Sequence, residues 1–433
     1  MLNKLRSYFF SITLLVTFSA SAQDLEEIYQ LVLQADPRLL MEEANLGINK
    51  AQEQQAFGNL LPQVTITSDW TETKRVTEQT SEDSYKGERH NLIITQPIIN
   101  MPTYYRWKGS KDNVSRYEMS LKDIQSRVRF DTIERYFKLL SSMDALALVS
   151  EEKIMTEKKV QHVKALYKMQ RIKITELYEV ESRLDQLVSK EIDAKQEKDI
   201  ALEGLSEITN SDIDYVSVLN DTVEFNEKVV NINEWVEKAI SSNHTLKALQ
   251  KEIDSAQNYI SETSTEHYPV VGLRLTKQKS NIGFESTASQ VSTTEVAELN
   301  VTIPLFTGGR ITASTSEAHH RLSFVRAKLD KQRREVTKEA RDAFLGVNAI
   351  ARRVHATNKA RQSARKSYQA MNRSFELGIA TISDVLDAQN YYSKAKRDYQ
   401  QSKYDYITHK AGLLHISGKL NDDIFHKVNK WLM

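Results

Sequence analysis

The chain has 433 residues with 59 Lys and Arg against 58 Asp and Glu, 13 Gly, 6 Pro and no Cys. Charge balance argues against a basic nucleic-acid-binding domain, and the missing Cys excludes disulfides, thiolate metal sites and cysteine nucleophiles. A mean hydropathy of −0.51 excludes a bundle of transmembrane helices, so a mainly helical, elongated protein with few turns remains.

Residues 1–22 read as an export signal. Lys4 and Arg6 precede an apolar run, Phe9–Phe18, and Ala20-Ser21-Ala22 forms a small-residue cleavage site. The run is too short to span a bilayer as a helix, and Asp24, Glu26 and Glu27 follow at once. The exported chain is expected to begin at Gln23, outside the cytoplasm.

A shift of 207 positions lays one half of the chain on the other. Ala35-Asp36-Pro37 falls on Ser242-Asn243-His244, and Leu61-Pro62 on Tyr268-Pro269. Gln96-Pro97-Ile98 falls on Ile303-Pro304-Leu305, and Tyr136-Phe137 on Ala343-Phe344. One more residue of drift aligns Thr175-Glu176 with Ser383-Asp384, and Glu179 with Asp387. Prolines and aromatics at one offset in one order indicate a tandem duplication. The expected division is a first repeat at 23–209, a connecting segment at 210–231, a second repeat at 232–418 and a terminal segment at 419–433.

Each repeat opens with a short amphipathic helix (Leu25–Ala35; Ile232–Ser242) and a second helix ending before a Pro (Pro37–Leu60; Thr245–Glu266). Two extended segments follow, giving hairpins at about 63–98 and 270–305. Val64, Ile66 and Trp70 alternate with polar residues, as do Ala297, Leu299, Val301 and Ile303; Asn91–Ile98 and Val270–Thr276 supply the other strands. The Ser-, Thr-, Glu- and Lys-rich stretches Thr71–Glu88 and Lys277–Thr293 read as solvent-exposed loops. Long helical hairpins come next, at about 102–208 and 310–416. Pro102–Arg171 has no internal Pro and Arg310–Leu377 one internal Gly, so each could run roughly 100 Å at 1.5 Å per residue. Return helices are expected at Thr175–Ile208 and Thr381–Ile416. Narrow apolar stripes on highly charged helices fit coiled-coil-like packing.

Four strands cannot close a barrel, but three chains would supply 12 antiparallel strands, with apolar and polar faces suited to a membrane wall. A small soluble sheet capping a coiled coil is the alternative on strand evidence alone.

The order helix, helix, hairpin, long helix, return helix, given twice, resembles the outer-membrane efflux protein family, the TolC-type channel-tunnels. Leu61-Pro62 and Tyr268-Pro269 are similar to that family's openings into its barrel hairpins. Gln96-Pro97-Ile98-Ile99 and Ile303-Pro304-Leu305-Phe306-Thr307-Gly308-Gly309-Arg310 resemble the exits. Gly378-Ile-Ala-Thr381-Ile-Ser-Asp384-Val-Leu-Asp387-Ala388 resembles the tip of the second helical hairpin. The likeness covers essentially the whole exported chain.

The resemblance implies a fold that is mainly α with a small antiparallel β part. Four strands per chain would join a 12-stranded trimeric β-barrel in the outer membrane, above a helical tunnel in the periplasm. It implies a homotrimer in outer-membrane lipid, working with a periplasmic adaptor protein and an inner-membrane pump of RND or ABC type, without nucleic acid, cofactor or metal. Segments 210–231 and 419–433 would form a belt around the tunnel. The implied role is a passive exit duct for a tripartite efflux pump or type I secretion system; the alternative is a periplasmic coiled-coil adaptor or scaffold.

Asp384 and Asp387 lie on one helix face. The resemblance assigns them, with Glu176 and Glu179 in the first repeat, to acidic rings at a pore gate. Thr381-x-x-Asp384 is also a capping pattern, which would explain Asp384 by itself. Gly378, Ile379, Ala380, Thr381 and Thr175 would form the adaptor-contact tip. The first repeat departs from the pattern, with Gln170-Arg171 where the second has Gly378-Ile379. His319-His320 reads as a surface pair, because adjacent helical residues point about 100° apart. Gly308-Gly309 lacks the surroundings of a phosphate loop. Tyr391, Tyr392, Tyr399, Tyr404 and Tyr406 read as packing residues, and no catalytic arrangement stands out.

Overall fold

The computed structural model describes residues 24–77, 80–213, 216–220, 225, 231–283 and 287–432. The expected export signal and parts of segment 210–231 lie outside them.

Helix α1 (Leu25–Ala35) starts at a capping box, in which Asp24 accepts from the Glu27 amide at 2.8 Å and Glu27 accepts from the Asp24 amide. Asp36 ends α1 and caps α2 (Pro37–Gly58), whose first-turn Pro needs no amide partner. In the second half Asn243 joins α5 (Ile232–Ser242) to α6 (His244–Ser264) in the same way, accepting from the Leu246 amide at 2.9 Å. The long helices are α3 (Met101–Lys168) and α7 (Arg310–Glu376), returning as α4 (Ile174–Thr209) and α8 (Ile382–Ile416). A short α9 (Asp422–Asn429) follows. No helix of the described residues is long and apolar enough to cross a membrane.

Strands β1 (Gln63–Thr77), β2 (Thr80–Ile99), β3 (Val270–Ile282) and β4 (Ala288–Thr302) form one antiparallel sheet in chain order. The β2–β3 ladder joins the halves, and β1 and β4 are left as edges. Both expected loops are corrected, for the ladders continue through them: Glu72 faces Lys86, and Gln278 faces Thr294. The composition break marks a change in side-chain character, not the end of pairing. Up to it, Val64 faces Ile94, Ile66 faces Leu92, Ile94 faces Leu275, and Leu273 faces Leu299, giving a continuous apolar surface. Beyond it the same face carries Glu88 and His90 and a Lys277–Glu295 ion pair at 2.6 Å. Side chains stay polar there while the backbone bonds persist. The 20 residues of β2 reach about 66 Å at 3.3 Å per residue. That is well beyond the 9–11 residues that span a bilayer.

The helices form two tiers along α3 and α7. Next to the sheet α3 packs on α2 and α6, and α6 on α7; towards the tips α3 packs on α4 and α8, and α8 on α7. The main core lies at the waist, where Ile133, Tyr136, Phe137, Leu205, Ile407 and Phe425 are almost wholly buried. The connecting and terminal segments meet there, with Leu219 bridging Leu432 and the Asn220 amide donating to the Trp431 carbonyl at 2.7 Å.

Candidate functional site

At the end farthest from the sheet, α7 closes in a Schellman-type turn. The Gly378 amide donates to the Phe375 carbonyl at 2.9 Å and the Ile379 amide to the Ser374 carbonyl at 2.9 Å. Gly378 has φ +76°, where a side chain would be strained. Ile379 then stands 78% exposed. Thr381 caps α8 through a full capping box: the Asp384 amide donates to Thr381 Oγ1 at 3.2 Å, and Asp384 Oδ2 accepts from the Thr381 amide at 2.9 Å and hydroxyl at 2.6 Å. The hydroxyl and amide of Thr381 hold the Asp384 carboxyl below its usual range. Asp387 is exposed one turn further on.

The first tip makes the same turn from different residues. Gln170 takes the left-handed conformation at φ +58°, with its amide on the Tyr167 carbonyl at 2.8 Å and the Arg171 amide on the Leu166 carbonyl at 3.0 Å. Lys173 precedes α4 and makes no side-chain cap. Thr175 and Glu179 are exposed in the first turns of α4, and Glu176 is half-buried. The tips are held level by one apolar cluster: Val163 of α3, Leu177 and Val180 of α4, and Ile382, Val385 and Leu386 of α8. The four acids therefore sit at the starts of two helices whose inner faces share a core.

Sequence reasoning missed a charged junction above this cluster. Glu152 of α3 is 1% exposed and accepts from Arg183 of α4 at 3.1 Å and Arg397 of α8 at 3.0 Å. Arg183 also donates to Asn390 of α8 at 2.6 Å. Two turns nearer the tip, Lys159 donates to Gln389 at 2.9 Å and lies over the Tyr368 ring at 5.3 Å. Burial pulls Lys159 down to about 8. The signal was available, because Val149, Glu152, Thr156, Lys159 and Val163 follow three-and-four spacing, so both charges stand in the helix seam.

The remaining candidates are exposed or packing residues. His319 and His320 are exposed, and no group of His, Asp and Glu among the described residues could hold a metal ion. Tyr404 is buried and donates to Asp144 at 2.7 Å, and Tyr392 stacks on Tyr368. Tyr391 is corrected: it is 69% exposed and packs no seam.

A four-stranded sheet with one apolar face and two open edges, set on helices of about 100 Å, defines a subunit of a barrel-and-tunnel assembly. Residues 235–419 match the family model for outer membrane efflux proteins. The chain is 22% identical to outer membrane protein TolC of Salmonella enteritidis, over 95% of this chain and 85% of that protein. It is 23% identical to the alkaline protease secretion protein AprF of Pseudomonas aeruginosa, over 94% of this chain and 87% of that one. Its fold matches the outer membrane channel CmeC of Campylobacter jejuni with a TM-score of 0.79 at 15% identity, covering 94% and 90% of the two chains. The chain is thus similar, over nearly its whole length, to the TolC-type outer-membrane efflux proteins.

Proposed function

We propose that three copies of this chain form an outer-membrane exit duct that passively conducts substrates of an efflux pump or type I secretion system. The observation that carries this is the sheet. Its apolar face is wide open to the surroundings, with Val64, Ile66, Trp70 and Leu299 all more than 60% exposed, and its edges β1 and β4 are unpaired within the chain. In water both features would invite aggregation, whereas a closed barrel in lipid covers the apolar face and pairs the edges. The helical tier continues below it, so the barrel would sit in the outer membrane and the tunnel in the periplasm.

In this reading the tips face the inner membrane. Gly378, Ile379, Ala380, Thr381 and Thr175 would meet a periplasmic adaptor, and an RND or ABC pump would supply the energy. Rings of Asp384, Asp387, Glu176 and Glu179 would disfavour anions at the entrance. Asp384 serves as a cap in the same conformation, and the two roles are compatible because its carboxylate stays exposed.

Density fractionation with a carbonate wash tests the duct. Retention in the outer-membrane band supports it, and release as soluble periplasmic protein defeats it in favour of the scaffold. For the gate, Asp384→Ala with Asp387→Ala is expected to weaken cation preference in planar-bilayer conductance; an unchanged reversal potential would remove those residues from the role.

A further inference from the structure

We infer that the lower tunnel is sealed between copies by an electrostatic seam, in which the basic outer face of α7 lies on the acidic outer face of α4 from a second copy. This rests on the trimeric reading above. Towards the tips α4 packs on α3, α3 on α8 and α8 on α7, which leaves α4 and α7 as the outer helices of the tier. Their charges are opposite. From Arg352 to Glu376, α7 has seven Lys and Arg and one acid. Over its 36 residues α4 has ten acids and four bases. Over the 25 residues of α4 level with that stretch, Ile174–Lys198, there are seven acids and four bases, so the facing helices carry opposite net charge.

The charges are also arranged as a seam. Arg352, Lys359, Lys366 and Arg373 recur every seven residues along α7 and are all exposed. Tyr368 and Phe375 lie on the opposite side, turned towards Lys159 and His162 of α3. On α4 the inner seam is Val180, Leu187, Ala194 and Ala201, every seven residues and buried. A second seven-residue series, Tyr178, Asp185, Ile192 and Asp199, runs up the other side and is exposed, with Tyr178 at 62% and Ile192 at 64%. A helix with two such stripes is built for two partners, and only one is in this chain.

Register follows from height. The shared tip cluster holds α4 and α7 level, and rotation about an axis parallel to the tunnel changes no height. Lys366 lies ten residues above the end of α7, and Asp185 eleven above the start of α4. Both are about 15 Å from the tip, so they meet across the seam. Neither has an ion-pair partner among the described residues.

The cysteine-free chain makes the test direct. The double variant Lys366→Cys, Asp185→Cys, oxidised in outer-membrane vesicles, is expected to give disulfide-linked dimers and trimers that collapse on reduction. Lys366→Cys with Asp199→Cys, displaced by about 21 Å, is expected to give none. Trimers by light scattering without the 366–185 link would overturn the seam and leave the duct intact; monomers would overturn both. Lys359→Glu with Lys366→Glu is expected to lower the trimer fraction, more at low salt than at about 0.5 M. An unchanged fraction would refute the electrostatic origin.

Discussion

The two tips pose the same backbone problem and answer it differently, which allows a quantitative test. Gln170 and Gly378 both hold a left-handed conformation at a helix end, with φ +58° and +76°. A residue with a Cβ pays about 1–2 kcal/mol there, while Gly loses about 0.5–1 kcal/mol more backbone entropy on folding. Gln170→Gly should therefore stabilise the first tip by about 0.5–1 kcal/mol, and Gly378→Gln should destabilise the second by a similar amount. Crowding does not blur the comparison: Gln170 is exposed, and a Cβ on Gly378 would meet no atom within 4 Å. The effect is local, so hydrogen exchange is the right assay. The reporters are the Arg171 and Ile379 amides, which close the two turns on the Leu166 and Ser374 carbonyls. A change of 0.5–1 kcal/mol is a factor of about 2–5 in the opening constant. Arg171 should exchange more slowly by that factor in Gln170→Gly, and Ile379 faster in Gly378→Gln. If neither rate moves, or both move the same way, the strain argument is wrong.

The other predictions concern the cap, the buried charge and pH. Lys173→Thr would set a capping hydroxyl three residues before Glu176, the arrangement Thr381 and Asp384 already make, and should stabilise α4 by about 0.5–1 kcal/mol; an unaltered exchange rate for the Glu176 amide would count against it. Glu152→Ala leaves two arginines facing a buried gap and should cost about 3 kcal/mol, the low end of the range for broken buried pairs because Arg183 and Arg397 are 17% and 27% exposed. Its neighbour Glu151, in a half-exposed pair with Lys396, should cost under about 1 kcal/mol on the same change, so equal shifts in melting temperature would refute the junction. Burial pushes His415 down, where it stacks on Phe130 at 5.4 Å with Ser126 Oγ at 2.8 Å from Nδ1. Below about pH 6.5 the unfolded chain binds a proton that the folded one resists, so stability falls as pH drops and this contribution is flat above. His415→Gln should flatten the decline of melting temperature between about pH 7 and 5; an identical slope would exclude His415 as its source.

What could be read from the sequence divides along a physical line. Helix ends signalled by Asp36-Pro37, Asn243 or Gly378 were legible because a cap must satisfy orphan amides or carbonyls with particular residue types. The outer halves of the hairpins were not. Strand reading relies on one apolar face, and residues such as Glu72–Lys74 and Thr293–Glu295 have water-compatible side chains on both faces, while the ladder that holds them is made by backbone groups that leave no mark on composition. Gln170 was opaque for the opposite reason: the turn it makes is common, but the residue making it is not the one that favours it.

The charged junction is hidden for a third reason, and it bears on how the tips hold their shape. Glu151, Glu152 and Lys153 look alike in a charge-rich stretch, yet only Glu152 falls on the three-and-four rhythm running from Val149 to Val163. At that position a side chain cannot reach water without breaking the α3–α4–α8 contact, so it must bring partners from both neighbours, and Arg183 and Arg397 are those partners. The apolar cluster at the tips, which holds the helices level, is less exacting about small rotations of α8, because burial has no direction. Glu152 is exacting, since two charge-assisted hydrogen bonds from different helices tolerate little change in distance or angle. The tips thus combine a core that sets the height of the helices with a junction that fixes the orientation of α8. Breaking the junction should loosen the orientation of α8 before it unfolds the tip.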